Sequence, residues 1–180
     1  MQKNRIIFMG SPLISSEYLQ VLVENNFNII GVYTQPPRPK GRGMSIQNSP
    51  VHNTALNLNI PVFYPENFSN KKVLESFYEL KSDLVIVMAY GKILPEEILS
   101  SPKFGCINIH VSLLPRWRGA APIEHTLLSG DKKTGVTIFK IVKSLDSGPI
   151  ISQAAISVNM SLNKKDLFEK LNEIGKNLLI

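Results

Sequence analysis

Hydrophobic residues fall along this chain in two rhythms, short continuous runs and helically spaced stripes, and their alternation predicts the order of elements. "RIIFMG" is an apolar run halted by Gly10, and "ISSEYLQVLVENN" then carries Leu19, Leu22 and Val23 at helical spacing, so the chain opens strand, turn, helix. "NIIGVYT" is a second strand. A loop without periodicity, Gln35 to Ser49, leads to "PVHNTALNLN", a helix with Pro50 in its first turn, then to a short strand "PVFY" and a helix "NKKVLESFYELK". "DLVIVMAYG" is apolar on both parities, as a strand covered on two faces must be, which places it in the sheet centre. "GCINIH" is a further strand and "APIEHTLLSGD" a helix ending near Gly130; "GVTIFKIV" and "PIISQAAISV" are β-branched strands joined by "KSLDSG" and suited to antiparallel pairing. The last segment, "NKKDLFEKLNEIGKNLLI", aligns Leu167, Leu171, Ile174 and Leu178 on one helical face and stops without a polar cap, as either a domain cut from a longer chain or a buried C-terminal helix end would. This order predicts one α/β domain over residues 1–180, a Rossmann-like open, mostly parallel sheet with helices on both faces.

Composition narrows the class. An apolar fraction of 43% over 180 residues suits a single globular core. No run approaches the roughly 18 apolar residues of a membrane span, and the N-terminal apolar run is too short for a secretory signal, so the expected location is cytoplasmic, without membrane contact. One cysteine, Cys106, excludes an internal disulfide, and with His52, His110 and His125 scattered no metal is expected. A net charge of +6 suggests an anionic partner. Much of it reads as a solvated helix face, at Lys164, Lys165, Lys170 and Lys176, whereas Arg38, Lys40 and Arg42 cluster in the patternless loop.

Candidate chemistry sits in "GCINIHVSLLPRWRGAAP". Side chains alternate along a strand, so Cys106, Asn108 and His110 share one face, and in open α/β sheets ligands bind beyond the carboxyl ends of strands. Either Asn108 caps a turn and His110 is an ordinary half-buried imidazole, or the two converge on a ligand. Cys106, deeper on the strand, reads as packing. Asp146 in "KSLDSGP" is either a plain turn aspartate or the acceptor that orients His110. Asp131, at an exposed helix end, and Asp83, ahead of its strand, are poorer candidates. No "GxSxG" nucleophile and no "GxGxxG" fingerprint is present. An amide, an imidazole and a carboxylate remain, the set that polarises a carbonyl, holds a tetrahedral oxyanion and moves a proton while a substrate supplies the attacking group.

With these residues in view, the chain resembles the methionyl-tRNA formyltransferases. The resemblance runs through "RIIFMGSP", "GVYTQPPRPKGRG", "SPVH", "VMAYGKILP", "GCINIHVSLLPRWRGAAPIEHTLLSGDKKTGVTI" and "LDSGPI". It implies 10-formyltetrahydrofolate as formyl donor and co-substrate, methionyl initiator tRNA as acceptor, no metal, and no obligate protein partner. Carried over, Asn108 stabilises the formyl oxygen, His110 assists proton transfer and Asp146 fixes the histidine. Ser112, Leu113, Leu114 and Pro115 contact the folate, and Tyr90, Gly91 and Ile93 form a wall of the pterin pocket. The same resemblance gives the basic loop with Arg38, Lys40 and Arg42 to the tRNA acceptor stem, Arg42 wedging near its terminal pair.

Departures from the family pattern are local. Pro37 stands where an aspartate is common and Lys40 where a small residue is common, while "MGSPLIS" lacks the usual threonine and aspartate-aromatic pair. The family's linker and C-terminal β-barrel, which grips tRNA, are absent from this chain. Two alternatives stay open at this stage. One is a formyltransferase acting on a small amine such as an amino sugar nucleotide or glycinamide ribonucleotide, since those relatives share the catalytic set; the other is a non-catalytic RNA-binding fragment.

Overall fold

The computed structural model describes residues 3–41, 44–159 and 161–180. The chain divides into two compact units, Met1–Cys106 and Ile107–Ile180.

In the first unit, strands β1 (Arg5–Gly10), β2 (Asn28–Tyr33), β5 (Val62–Phe63) and β6 (Leu84–Met88) run parallel in the order β5-β2-β1-β6. Helices α1 (Leu13–Glu24), α2 (Pro50–Asn57) and α3 (Lys71–Glu79) connect them, with a single turn α4 (Glu96–Leu99) after β6. Their residues explain the pairing. Ile7, Phe8 and Met9 of β1 and Val85 of β6 are fully buried, and Tyr18, Leu19 and Leu22 of α1 complete the core. Gly10 permits the close approach of α1: a Cβ there would stand 2.7 Å from Ser15 Cβ and 2.8 Å from the Met88 carbonyl oxygen. Ser49 caps α2 by accepting from the His52 N–H at 3.0 Å, and Asn70 caps α3 by accepting from the Lys72 N–H at 2.9 Å. Asp83 has a structural task, its carboxylate accepting from the Arg5 N–H at 2.7 Å.

Three elements differ from the sequence expectation. Within the patternless loop, β3 (Arg38–Lys40) and β4 (Ser45–Gln47) form a small antiparallel ladder. Ser45, Ile46 and Gln47 are all exposed, so no buried face imposed an apolar alternation that sequence could display. Helix α4, only Glu96–Leu99, is too short to carry a helical period.

The second unit holds β8 (Lys133–Lys140) between β7 (Cys106–His110, whose first residue belongs to the first unit) and β9 (Ile150–Ser157), both antiparallel to it. The expected antiparallel pairing of the two late strands is therefore present. Helix α5 (Pro122–Leu128) precedes β8, and α6 (Lys164–Leu179) packs on β8 and β9. Asn163 caps α6, and Leu167 and Leu171 of its apolar stripe are fully buried, with Ile174 and Leu178 half-buried. Among the described residues no helix is long and apolar enough to cross a membrane.

Candidate active site

The β7 strand delivers both polar candidates, with Asn108 opposite Phe139 and His110 opposite Thr137 of β8. Asn108 is half-buried, and its carboxamide has no hydrogen-bond partner among the described residues. His110 is 7% exposed. Its Nε2 lies 2.8 Å from the Trp117 carbonyl oxygen. A carbonyl only accepts, so the imidazole donates there and Nδ1 carries the lone pair when the ring is neutral. Nδ1 faces Asp146 Oδ2 at 3.8 Å, which is beyond hydrogen-bond reach and within ion-pair reach once the ring is protonated.

Asp146 is fixed by other means. Its Oδ2 accepts from the Gly119 N–H at 2.8 Å, and its backbone adopts φ +42°, a left-handed conformation that aspartate tolerates better than most residues. The second unit thus brings His110 and Asp146 together, with Asn108 two residues before His110 on the same face of β7, but the acceptor that orients the ring is the Trp117 carbonyl. Sequence spacing gave no signal for a main-chain partner.

Ser112, Leu113, Leu114 and Pro115 form a braced loop. The Thr137 hydroxyl donates to the Ser112 carbonyl at 2.7 Å and accepts from the Leu114 N–H at 3.1 Å and from Gln153 Nε2 at 2.8 Å, so its bonding capacity is filled. Gln153 Nε2 also donates to the Leu114 carbonyl at 3.0 Å. Ser112 is fully buried and its hydroxyl donates its proton to the Arg116 carbonyl at 2.7 Å, inside the loop. Leu114 is buried, Pro115 is exposed and the peptide between them is cis. Thr137 and Gln153 were not foreseen as site residues; a buried threonine within the apolar β8 run was the available signal.

Beyond this loop, Arg116 and Trp117 converge on Asp131. The guanidinium is bidentate, Nε to Oδ2 and a terminal nitrogen to Oδ1, both at 2.7 Å, and Trp117 Nε1 donates to Oδ2 at 2.7 Å. The Trp117 ring stacks on His125 with centroids 5.1 Å apart, and the Arg116 guanidinium lies 4.2 Å from its centroid. Asp131, expected at an exposed helix end, is only 15% exposed. Hydrogen bonding from Arg116, assisted by Trp117, holds its carboxyl below the ordinary carboxylate value. A folded-state value below the unfolded one means a contribution present above the unfolded carboxylate's ordinary value, about 3.9, and lost as pH falls through the lower folded value. The melting-temperature gap between the native chain and Asp131→Asn is therefore expected to be full near neutrality and to close in acid; thermal melts from pH 7 to pH 2 measure it, and a pH-independent gap would contradict the assignment.

The remaining candidates lie in the first unit. Tyr90 is 2% exposed, its ring is 6.4 Å from that of Phe68, and its buried hydroxyl lacks a hydrogen-bond partner among the described residues. Burial pushes its ionisation well above the ordinary tyrosine value. Gly91 has φ +77°, and Ile93 is 93% exposed. Arg38 is exposed at the head of β3, Lys40 ends that strand, and Arg42 lies outside the described residues. Cys106 is buried, its thiol 3.6 Å from the Ile98 carbonyl, in keeping with a packing role.

A protein of Wolbachia pipientis subsp. Culex pipiens named methionyl-tRNA formyltransferase is 48% identical over 176 residues, covering 98% of this chain and 59% of that protein. One of the same name from Kosmotoga olearia is 46% identical, with 98% and 57% covered. The chain thus spans less than two thirds of the length of these relatives. The crystal structure of phosphoribosylglycinamide formyltransferase from Bacillus halodurans superposes with a TM-score of 0.81 over 97% of this chain and 90% of that one at 24% identity, a likeness of fold that bears out the Rossmann-like, mostly parallel expectation. The family profile described as Formyl transferase matches residues 4–180, and the chain belongs to that family.

Proposed function

We propose that this chain is the catalytic part of an enzyme that moves the formyl group of 10-formyltetrahydrofolate to the α-amine of methionine esterified to initiator tRNA, in the cytoplasm. The observation that carries the reading is the approach of His110 to Asp146, with Nδ1 of the imidazole 3.8 Å from the carboxylate, on the strand face that Asn108 shares. An unpartnered, half-buried carboxamide fits a carbonyl oxygen that must be polarised. The donor, when bound, supplies an activated formyl carbon. Asn108 donates its N–H to the oxygen on which charge grows, His110 takes the amine's proton at Nδ1 and returns it to the departing nitrogen, and Asp146 stabilises the ring while it is charged. Leu113 and Pro115 of the braced loop are the residues of the second unit we assign to the folate, and Ser112 holds that loop in shape from within.

The choice of tRNA as acceptor rests on the names of the 46–48% identical relatives and on the basic segment Arg38, Lys40 and Arg42. Incubation with 10-formyltetrahydrofolate and either methionylated initiator tRNA or glycinamide ribonucleotide under matched conditions tests it. Formylation of the charged tRNA is the expected result; product from the small amine alone would overturn the acceptor, and no product from either would overturn formyl transfer. Arg42→Ala is expected to weaken tRNA use and to flatten the slope of log affinity against log salt by about 0.9 for each phosphate that the variant leaves unneutralised. An unchanged slope would make the loop a spacer.

A further inference from the structure

The chemistry proposed for His110 depends on which ring nitrogen holds the proton, and an element outside the catalytic set governs this. We infer that Asp131 is a positioning residue for the formyl-transfer site: by holding the Trp117 indole it aims the Trp117 carbonyl at His110 Nε2 and commits the neutral imidazole to the Nε2–H tautomer. The inference rests on the functional reading above and deepens it.

Three observations within the second unit join into one chain of cause. Trp117 has φ +60°, a left-handed backbone conformation that a bulky side chain adopts only when its surroundings impose it. Those surroundings are present. The indole N–H is held by Asp131 at 2.7 Å, the ring is stacked on His125, and the Arg116 guanidinium lies over it while bound in both branches to the same carboxylate. In this conformation the Trp117 carbonyl reaches His110 Nε2 at 2.8 Å. The carboxylate closer to the catalytic ring cannot select the tautomer, because Asp146 Oδ2 stands 3.8 Å from Nδ1 and is engaged by the Gly119 N–H.

The consequence for proton traffic is specific. With the Nε2 proton committed to a carbonyl, only Nδ1 exchanges protons. As the new bond between amine nitrogen and formyl carbon forms, one amine proton passes to Nδ1, giving an imidazolium opposite Asp146. The same proton then passes to the donor's nitrogen as its bond to the formyl carbon breaks, and the ring returns to the Nε2–H tautomer. The opposite tautomer would present Nδ1–H to the amine and leave Nε2 and the Trp117 carbonyl as two facing acceptors.

The test is long-range proton–nitrogen correlation NMR on the chain labelled with 15N-histidine, at a pH where the His110 ring is neutral. The native chain is expected to show a protonated Nε2 and a bare Nδ1 at His110. Asp131→Asn, and independently Trp117→Phe, which keeps an aromatic ring for stacking but removes the indole N–H with its five-membered ring, are expected to give averaged signals from both tautomers. In formyl transfer each variant is expected to lose roughly ten- to a hundredfold in kcat with KM for the formyl donor unchanged, since displacement of a catalytic group by about 1 Å costs up to about 10²-fold. The double variant is expected to lose no more than the worse single one, because both changes cut the same link. Persistence of a single Nε2–H tautomer in a folded Trp117→Phe chain would overturn the inference, as would an Nδ1–H tautomer in the native chain. A locked Nε2–H tautomer in a chain without formyl transfer would leave the positioning role standing and remove the functional reading.

Discussion

Asn108→Ala is expected to lower formyl-transfer turnover by about 10²–10³-fold, the loss measured where a single preorganised oxyanion donor is removed, while binding of the formyl donor changes little. The argument is one of differential stabilisation. An amide N–H aimed at a carbonyl oxygen is worth far more once that oxygen becomes an anion in a site sheltered from water, so its removal falls on the transition state and spares ground-state affinity. The structure adds the condition this requires: no described neighbour consumes the Asn108 carboxamide, so it needs no rearrangement to serve a ligand. Single-turnover rates paired with folate titration separate the two quantities. Equal losses in rate and affinity would make Asn108 a binding residue, and unchanged turnover would remove it from the mechanism.

Gly148→Ala carries the largest expected effect on stability, about 3 kcal/mol, at the top of the usual range for overpacking. A Cβ at this position would collide with the Lys140 carbonyl oxygen and meet Lys140 C at 2.9 Å. Backbone cannot swing aside as a side chain does. Lys140 is held on both sides, paired with Ile107 across β7 and β8 and donating its N–H to the Pro149 carbonyl at 2.9 Å. For a chain of this size that loss corresponds to a melting temperature lower by roughly 6–12 °C. The same turn carries Asp146, two residues earlier, so a variant that folds is expected to show a displaced carboxylate and reduced turnover as well. An unchanged melting temperature would mean that the turn has room to open.

Functional and structural roles are interleaved along one short segment here. Ser112, which the resemblance pointed toward the folate, donates its proton to the Arg116 carbonyl within the loop, and the Arg116 guanidinium reaches past the loop to Asp131. Thr137 and Gln153, on strands chosen only for their apolar character, tie that loop to the sheet. Loops that must present a fixed surface to a ligand have few backbone partners of their own, and buried side chains from neighbouring strands supply them.

What the linear sequence determined is whatever depends on near neighbours. Periodicity marked the principal strands and most helices, because burial acts on each residue according to the face it occupies, and alternation placed Asn108 and His110 on one side of β7. The three-residue β3 and exposed β4 and the four-residue α4 escaped, since none is long enough to write a period. Tertiary structure alone decided which groups hold His110. The Trp117 carbonyl, the Gly119 amide and the Asp131 carboxylate act through left-handed loop backbone and through contacts between segments distant in sequence. Main-chain donors and acceptors are present at nearly every residue, so their identity in sequence carries no information; only the folded path of the chain selects the one that meets the ring.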